Sequence, residues 1–127
     1  MTRTRYLHCS NPDCPHEAQK YMSDWTRKNL PDSSLGFMVT DLDFVLSNYK
    51  SKKIMLLEIK TRNSNIKEWQ KRIFINLNRW IAKGIDEGWE YLGMHLIRFE
   101  NTNFDDGLVY FDNKVLSEQE LKDKLSF

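Results

Sequence analysis

The chain has 127 residues, the size of one domain, with 40% hydrophobic and 13% aromatic residues and only 5 Gly and 3 Pro. This composition excludes a disordered or fibrous chain and is typical of a globular domain. The net charge of +1 neither indicates nor excludes a nucleic-acid binder, because a local basic strip matters more than the total.

The sequence also carries no membrane or export signal. No apolar run approaches the length of a transmembrane helix, so we expect no membrane span and no membrane partner. The basic residues 1–5 lead into no apolar segment, which predicts that there is no signal peptide. We therefore expect a cytoplasmic protein.

The N-terminal stretch holds a cluster of zinc-ligand types: His8, Cys9, Cys14 and His16. The spacing Cys-x4-Cys-x-His is not a standard zinc pattern, and Pro12 restricts the loop. In a chain without an export signal we expect reduced cysteines. A structural zinc ion at Cys9, Cys14 and His16 is the alternative.

The first elements follow from hydrophobic periodicity. Apolar residues recur at helical spacing from Glu17 onwards, and Pro31 predicts the end of this first helix. Residues 36–39 are extended, as a separate strand or the start of the next one. Two short apolar strands over 41–46 and 54–60 are joined by the polar hairpin turn 47–53.

The second half continues with a long amphipathic helix over 66–85 and strands over 91–99 and 108–111. Ser117 and Glu120 have capping-box spacing, which predicts a short final helix. The predicted fold is α/β (α+β), a single domain over residues 1–127 with a central mixed sheet flanked by helices. A C-terminal β-hairpin and the short helix complete it.

The two predicted strands of the hairpin carry acidic residues and a lysine. Side chains alternate faces along a strand, so Glu58 and Lys60 share a face, as do Asp41 and Asp43. If the strands pair, two or three carboxylates and an ammonium group come together. Such a patch suits a divalent cation that activates a water molecule. A solvated face of a half-buried strand is the alternative interpretation.

Asp43 followed by Glu58-x-Lys60 on an apolar strand resembles the PD-(D/E)XK nuclease superfamily, which has a restriction-endonuclease-like fold. The helix–strands–helix–strand order over about residues 17–99 matches that superfamily's core, and residues 100–127 look like an addition. The resemblance implies cleavage of DNA that depends on Mg²⁺ or Mn²⁺. It implies that Asp43, Glu58 and the Ile59 carbonyl are metal ligands.

The same resemblance implies that Lys60 is the catalytic lysine, and it extends to two further residues. Many members place a glutamate on the first helix near the metal, for which Glu17 is the candidate. Some branches carry a glutamine on the helix after the lysine, and Gln70 lies within the apolar arc of that helix. Leu42 stands where a proline is often found. This leaves Asp41 open as a ligand, although the strand directly follows Asp43.

Basic residues that follow the acidic strand are candidates for DNA binding: Arg62, Lys67 and Lys71. A solvated surface is the alternative for each of them. Trp25, Trp69 and Trp80 fall on apolar helical faces, so we assign them to the core.

Nucleases of this kind frequently act as dimers and are common in viruses and prokaryotes, so a homodimer is a further expectation. The alternative function is a catalytically silent protein with the same fold that binds nucleic acid or a protein partner.

Overall fold

The structure, a computed structural model, describes residues 16–62 and 64–127, with side chains from Ala18 onwards. The chain divides into two compact units, Met1–Val39 and Thr40–Phe127. Cys9, Cys14 and the side chain of His16 lie outside the described residues, so the zinc alternative stays a prediction. No helix in the described part of the chain is long and apolar enough to cross a bilayer.

The described part of the first unit contains one α-helix and one short 3-10 turn. Helix α1, His16–Asn29, ends before Pro31 as the sequence predicts. The 3-10 turn Ser33–Leu35 follows, with the Asp32 carboxylate accepting a hydrogen bond from the Ser33 N–H at 2.9 Å. Residues 36–39, considered as a strand above, form none.

The second unit is a five-stranded mixed sheet with two helices. The strands lie side by side in chain order: β1 Phe44–Asn48, β2 Lys53–Thr61, β3 Glu90–Phe99, β4 Val109–Phe111 and β5 Lys114–Val115. Only β2 and β3 run parallel, and helix α2, Glu68–Gly84, makes the crossover between them. Helix α3, Glu118–Leu125, closes the chain. The predicted α/β class with a mixed sheet is confirmed.

The interior strand β2 is buried on both faces over residues 55–58, which explains its continuous apolar run. One face carries the main core, where Leu57 and Ile97 of the sheet pack with Leu121 of α3. The capping box predicted for α3 is present, because the Ser117 hydroxyl accepts from the Glu120 N–H and the Glu120 carboxylate accepts from the Ser117 N–H. The opposite face of the sheet carries Glu58, and α2 packs there against β3.

The core assignment of three tryptophans is wrong. Trp25 and Trp69 are each 37% exposed, and Trp80 is 57% exposed. On α2 the buried residues are Gln70 and Phe74, one helical turn apart. Successive positions on a helix are rotated by about 100°, so Trp69 lies well to one side of this buried line. The sheet therefore contacts a different stripe of α2 than the apolar pattern indicates.

Candidate active site

Asp43 lies directly before β1 and is held against β2. One carboxylate oxygen, Oδ2, accepts a hydrogen bond from the Ile59 N–H at 2.8 Å. Pairing of the two strands begins at Phe44 and Leu57, so Ile59 lies beyond the end of β1. The Asp43 side chain therefore accepts a hydrogen bond from a β2 N–H that has no partner in β1. This contact places an acidic group at the end of the β1–β2 ladder.

The direction of the Ile59 N–H also fixes the direction of the Ile59 carbonyl. In a strand the N–H and C=O of one residue point to the same side of the chain within the sheet. Since the Ile59 N–H points to Asp43, the Ile59 C=O leaves β2 on the Asp43 side as well. The carbonyl therefore lies on the side where the sequence resemblance implies a metal ligand.

Glu58 is a buried acid on the interior strand β2, with 4% of the residue exposed. Its Oε1 is 3.9 Å from Nζ of Lys60, and its Oε2 has no hydrogen-bond partner among the described residues. The pKa of Glu58 is raised from 4.5 to about 8, mainly by burial and then by the hydrogen bond and charge of Asp43. Lys60 opposes this rise in pKa, and Asp41 adds a small contribution to it. Ionised Glu58 therefore lacks sufficient compensation from these neighbours alone.

Lys60 follows Glu58 by two residues on the same face of β2. Its side chain is 19% exposed, so the ammonium group is partly withdrawn from water. Asp41 is exposed, whereas Asp43 makes the contact with β2. The structure thus brings Asp43, Glu58 and Lys60 together and leaves Asp41 at the margin.

Gln70 is buried, with 8% of the residue exposed, and its Nε2 donates a hydrogen bond to the Thr40 hydroxyl at 3.1 Å. Thr40 begins the segment that leads to Asp43. The contact therefore joins α2 to the acidic segment, and sequence reasoning missed Thr40. The side chain of Glu17 lies outside the described residues, and its metal role stays a prediction.

The predicted DNA-binding residues are all exposed. Arg62 has a φ of 53°, in the left-handed region, and its N–H donates to the Phe99 carbonyl. Lys67 is the N-cap residue of α2, and Lys71 lies in the first turns of that helix. Lys71 lines the same cleft as Glu58, whereas Arg62 and Lys67 do not.

This cleft has a volume of about 180 Å³ and lies between α2 and β3. Glu58 lines it together with the apolar side chains of Phe74, Met94 and Leu96. Its polar lining residues are Lys71, Asn78, His95 and Asp112. An apolar cleft with a few polar groups and an acid of perturbed pKa is typical of a ligand site.

The polar wall of the cleft is held by hydrogen bonds. His95 Nδ1 is 2.5 Å from the Asp112 carboxylate, and its Nε2 is 2.7 Å from the Leu92 carbonyl. Asn78 Oδ1 accepts from the Met94 N–H at 3.2 Å. Sequence reasoning missed Asn78 and Asp112 as lining residues, because only the contacts of α2 and of the turn after β4 with β3 bring them together.

Within residues 18–62 and 64–127, no three His, Cys, Asp or Glu side chains converge as ligands of a metal ion. The oxygen donors that the resemblance predicts as metal ligands are the Asp43 and Glu58 carboxylates and the Ile59 carbonyl. These are hard oxygen donors, the type that Mg²⁺ prefers. The orphaned Glu58 Oε2 fits a cation, because a buried carboxylate oxygen needs a positive or hydrogen-bonding partner.

The chain is similar to a protein of Archaeoglobus fulgidus described as uncharacterized, with 33% identity over 92 residues. The match covers 72% of this chain and 60% of the archaeal protein. No protein-family model matches the chain, and no solved structure matches it. The chemistry of the site is therefore interpreted from its own residues.

Proposed function

We propose that the protein is a nuclease that hydrolyses phosphodiester bonds of DNA with Mg²⁺ or Mn²⁺. One observation carries this proposal: the buried Glu58 carboxyl lies beside Asp43 and has Lys60 Nζ at 3.9 Å. Two carboxylates and an ammonium group at the end of a strand pair suit metal-assisted attack of water on a phosphate.

The energetic cost of this arrangement supports the proposal. The Glu58 carboxyl group lies in the buried part of β2, where ionising a carboxyl group is costly. Asp43 increases that cost, because its charge and hydrogen bond raise the pKa of Glu58. A bound divalent cation offsets both the burial and the repulsion, so a metal site accounts for two features that are unfavourable to folding alone.

Each residue has a part in the hydrolysis that we propose. Asp43, Glu58 and the Ile59 carbonyl would hold the metal ion, which when bound would supply neutralising charge to the phosphoryl oxygens and a more acidic water molecule. The Ile59 N–H fixes the Asp43 carboxylate, and the Lys60 ammonium group donates to the attacking water or to a non-bridging phosphate oxygen. A water molecule loses a proton to solvent and its oxygen attacks phosphorus, the bond from phosphorus to the leaving oxygen breaks, and that oxygen takes a proton from solvent.

The experiment compares cleavage of labelled single-stranded, duplex, flapped and four-way DNA in Mg²⁺, in Mn²⁺ and in chelator. Wild type is tested beside Glu58→Gln and Lys60→Ala. The matched controls are Glu87→Gln and Lys83→Ala, two exposed residues away from the site. We expect metal-dependent cutting that both controls retain and that both site variants lose by at least about 100-fold.

Two results contradict the proposal. One is the absence of cutting on every DNA, and the other is equal cutting by wild type and both site variants. DNA binding without cutting by all five proteins instead favours a catalytically silent nucleic-acid-binding protein. An RNA substrate in the same assay tests whether the protein catalyses the same reaction on RNA instead of DNA.

A further inference from the structure

A second positively charged side chain, that of Arg98, lies next to Lys60 on the neighbouring strand β3. In the parallel pairing of β2 with β3, Lys60 is in register with Arg98. Residues in register on adjacent strands project from the same face, and the strands lie about 5 Å apart. The flanking residues Ile59 and Ile97 belong to the opposite face, where the main core packs. Lys60 and Arg98 therefore lie side by side on the face that carries Glu58.

Both cationic side chains are half-buried, and in the described part of the chain Lys60 has one carboxylate, that of Glu58, within ion-pair distance. Lys60 approaches the Glu58 carboxylate only to 3.9 Å. Arg98 is within ion-pair distance of no carboxylate among residues 18–62 and 64–127. Its Nε is buried and has no hydrogen-bond partner among those residues. The Arg98 Nε–H is therefore available to donate a hydrogen bond to a ligand.

Two adjacent cations that are partly removed from water repel each other, and an anion between them removes that repulsion. The planar fork of arginine matches two oxygens of a phosphate, and the lysine ammonium adds a point charge. A phosphodiester group has two non-bridging oxygens that share one negative charge. Its shape and charge suit a pair made of one guanidinium and one ammonium group.

We propose that Lys60 and Arg98 form a cation pair that binds a phosphodiester group of the DNA beside Asp43 and Glu58. The identity of the ligand as DNA rests on the proposed function, whereas the binding of a phosphate does not. Arg98 is then a substrate-binding residue that supplies positive charge where the Glu58 carboxylate would otherwise repel the phosphate.

The first test is free of metal and of catalysis. The melting temperature is measured in inorganic phosphate and in NaCl of equal ionic strength, both with chelator. An anion that binds only the folded state raises the melting temperature with its concentration. We expect phosphate to stabilise the wild type and the control Arg79→Gln, whose residue is exposed on α2, and to leave Arg98→Gln unaffected. Arg98→Lys keeps the charge without the fork, and we expect it to show a smaller shift.

The second test measures the salt dependence of DNA binding in chelator. Loss of one phosphate contact lowers the slope of log K against log salt concentration by about one unit. We expect this decrease for Arg98→Gln and no decrease for Arg79→Gln. Circular dichroism spectra that match the wild type show that each variant is folded.

The outcomes separate this inference from the proposed function. Equal phosphate stabilisation and equal salt slopes for wild type and Arg98→Gln overturn the cation pair, even if the wild type cuts DNA. Phosphate stabilisation that requires Arg98 supports the pair, even if no DNA is cut. In that case the nuclease proposal is wrong and the phosphate-binding cation pair remains supported.

Discussion

The carboxylate of Asp43 accepts a hydrogen bond at 2.8 Å from the main-chain N–H of Ile59, 16 residues later. The contact lies just before β1 begins, at a point where β2 extends beyond the paired residues of β1. A side chain there accepts from a β2 N–H that has no partner in β1, so the register of the hairpin also determines where the acidic group lies. The neighbouring Glu58 is affected directly, because Asp43 is among the causes of its raised pKa.

Substitution can separate two contributions of Asp43, its negative charge and its hydrogen bond from the Ile59 N–H. Asp43→Asn keeps an oxygen that accepts from the Ile59 N–H, whereas Asp43→Ala leaves that donor without its partner. We expect the free energy of unfolding of the alanine variant to be about 1–2 kcal/mol lower than that of the asparagine variant. Chemical denaturation in chelator measures the difference. Equal stability of the two variants contradicts the importance of this hydrogen bond.

Without metal, Glu58 makes the protein less stable as the pH rises. The pKa of this carboxyl is about 8 in the folded protein and 4.5, its ordinary value, in the unfolded chain. Below pH 4.5 both states are protonated and Glu58 imposes no penalty. Between pH 4.5 and 8 the unfolded chain ionises first, so the free energy of unfolding falls by at most about 5 kcal/mol in total. Above pH 8 both states are ionised and the loss is complete.

Glu58→Gln tests this pH dependence, because glutamine has the same shape and no ionisation. We expect the variant to be more stable than wild type in chelator, by a margin that grows from pH 4.5 to 8 and then stays constant. Urea unfolding at pH 4.5, 6, 7 and 8.5 measures the margin, and Glu87→Gln is the exposed control. A margin that does not change with pH shows that Glu58 titrates normally.

Metal binding at this site should release a proton near neutral pH. The pKa of Glu58 is about 8, so most of the metal-free protein holds a proton there at pH 7, and a cation displaces it. We expect titration calorimetry with Mg²⁺ or Mn²⁺ to give enthalpies that depend on the ionisation enthalpy of the buffer. The dependence should correspond to release of nearly one proton at pH 7 and be absent for Glu58→Gln. Metal binding without buffer dependence in the wild type contradicts a site at Glu58.

The hydrogen bond between Gln70 and Thr40 allows a test of how Gln70 acts. We expect Gln70→Leu, Thr40→Val and the double variant to lose similar DNA cleavage, about 10-fold, because the contact positions the segment that leads to Asp43. Cleavage rates of the wild type and the three variants give a double-mutant cycle. A much larger loss for Gln70→Leu than for Thr40→Val instead indicates direct contact with the water or phosphate, as the superfamily resemblance implies.

The capping box of α3 contributes to stability and not to cleavage. Ser117→Ala removes the acceptor of the Glu120 N–H, and we expect a loss of about 1 kcal/mol in the free energy of unfolding. Cleavage at a temperature where the variant is folded should equal wild type, because α3 packs on the face opposite Glu58. Ser51→Ala in the exposed β1–β2 turn is the control. Reduced cleavage by folded Ser117→Ala contradicts this separation of the two faces.

Local patterns determined most of the secondary structure of this protein. Pro31 ends α1, the capping box starts α3, and the apolar run before Glu58 forms the interior strand β2. The alternation of side chains along β2 also placed Glu58 and Lys60 on one face. Each of these features depends on residues within a few positions of one another, so they are readable from the sequence.

Other features depend on contacts between distant segments. Arg98 becomes the neighbour of Lys60 only through the parallel pairing of β2 with β3, which has no local signal in either strand. The position of the sheet against α2 buries Gln70 and Phe74 and leaves Trp69 and Trp80 exposed. Asp43, rather than Asp41, contacts β2 because β1 begins at Phe44 in the folded register. Only tertiary structure decides such choices, because the energies that select one register or one helix face come from residues far apart in the chain.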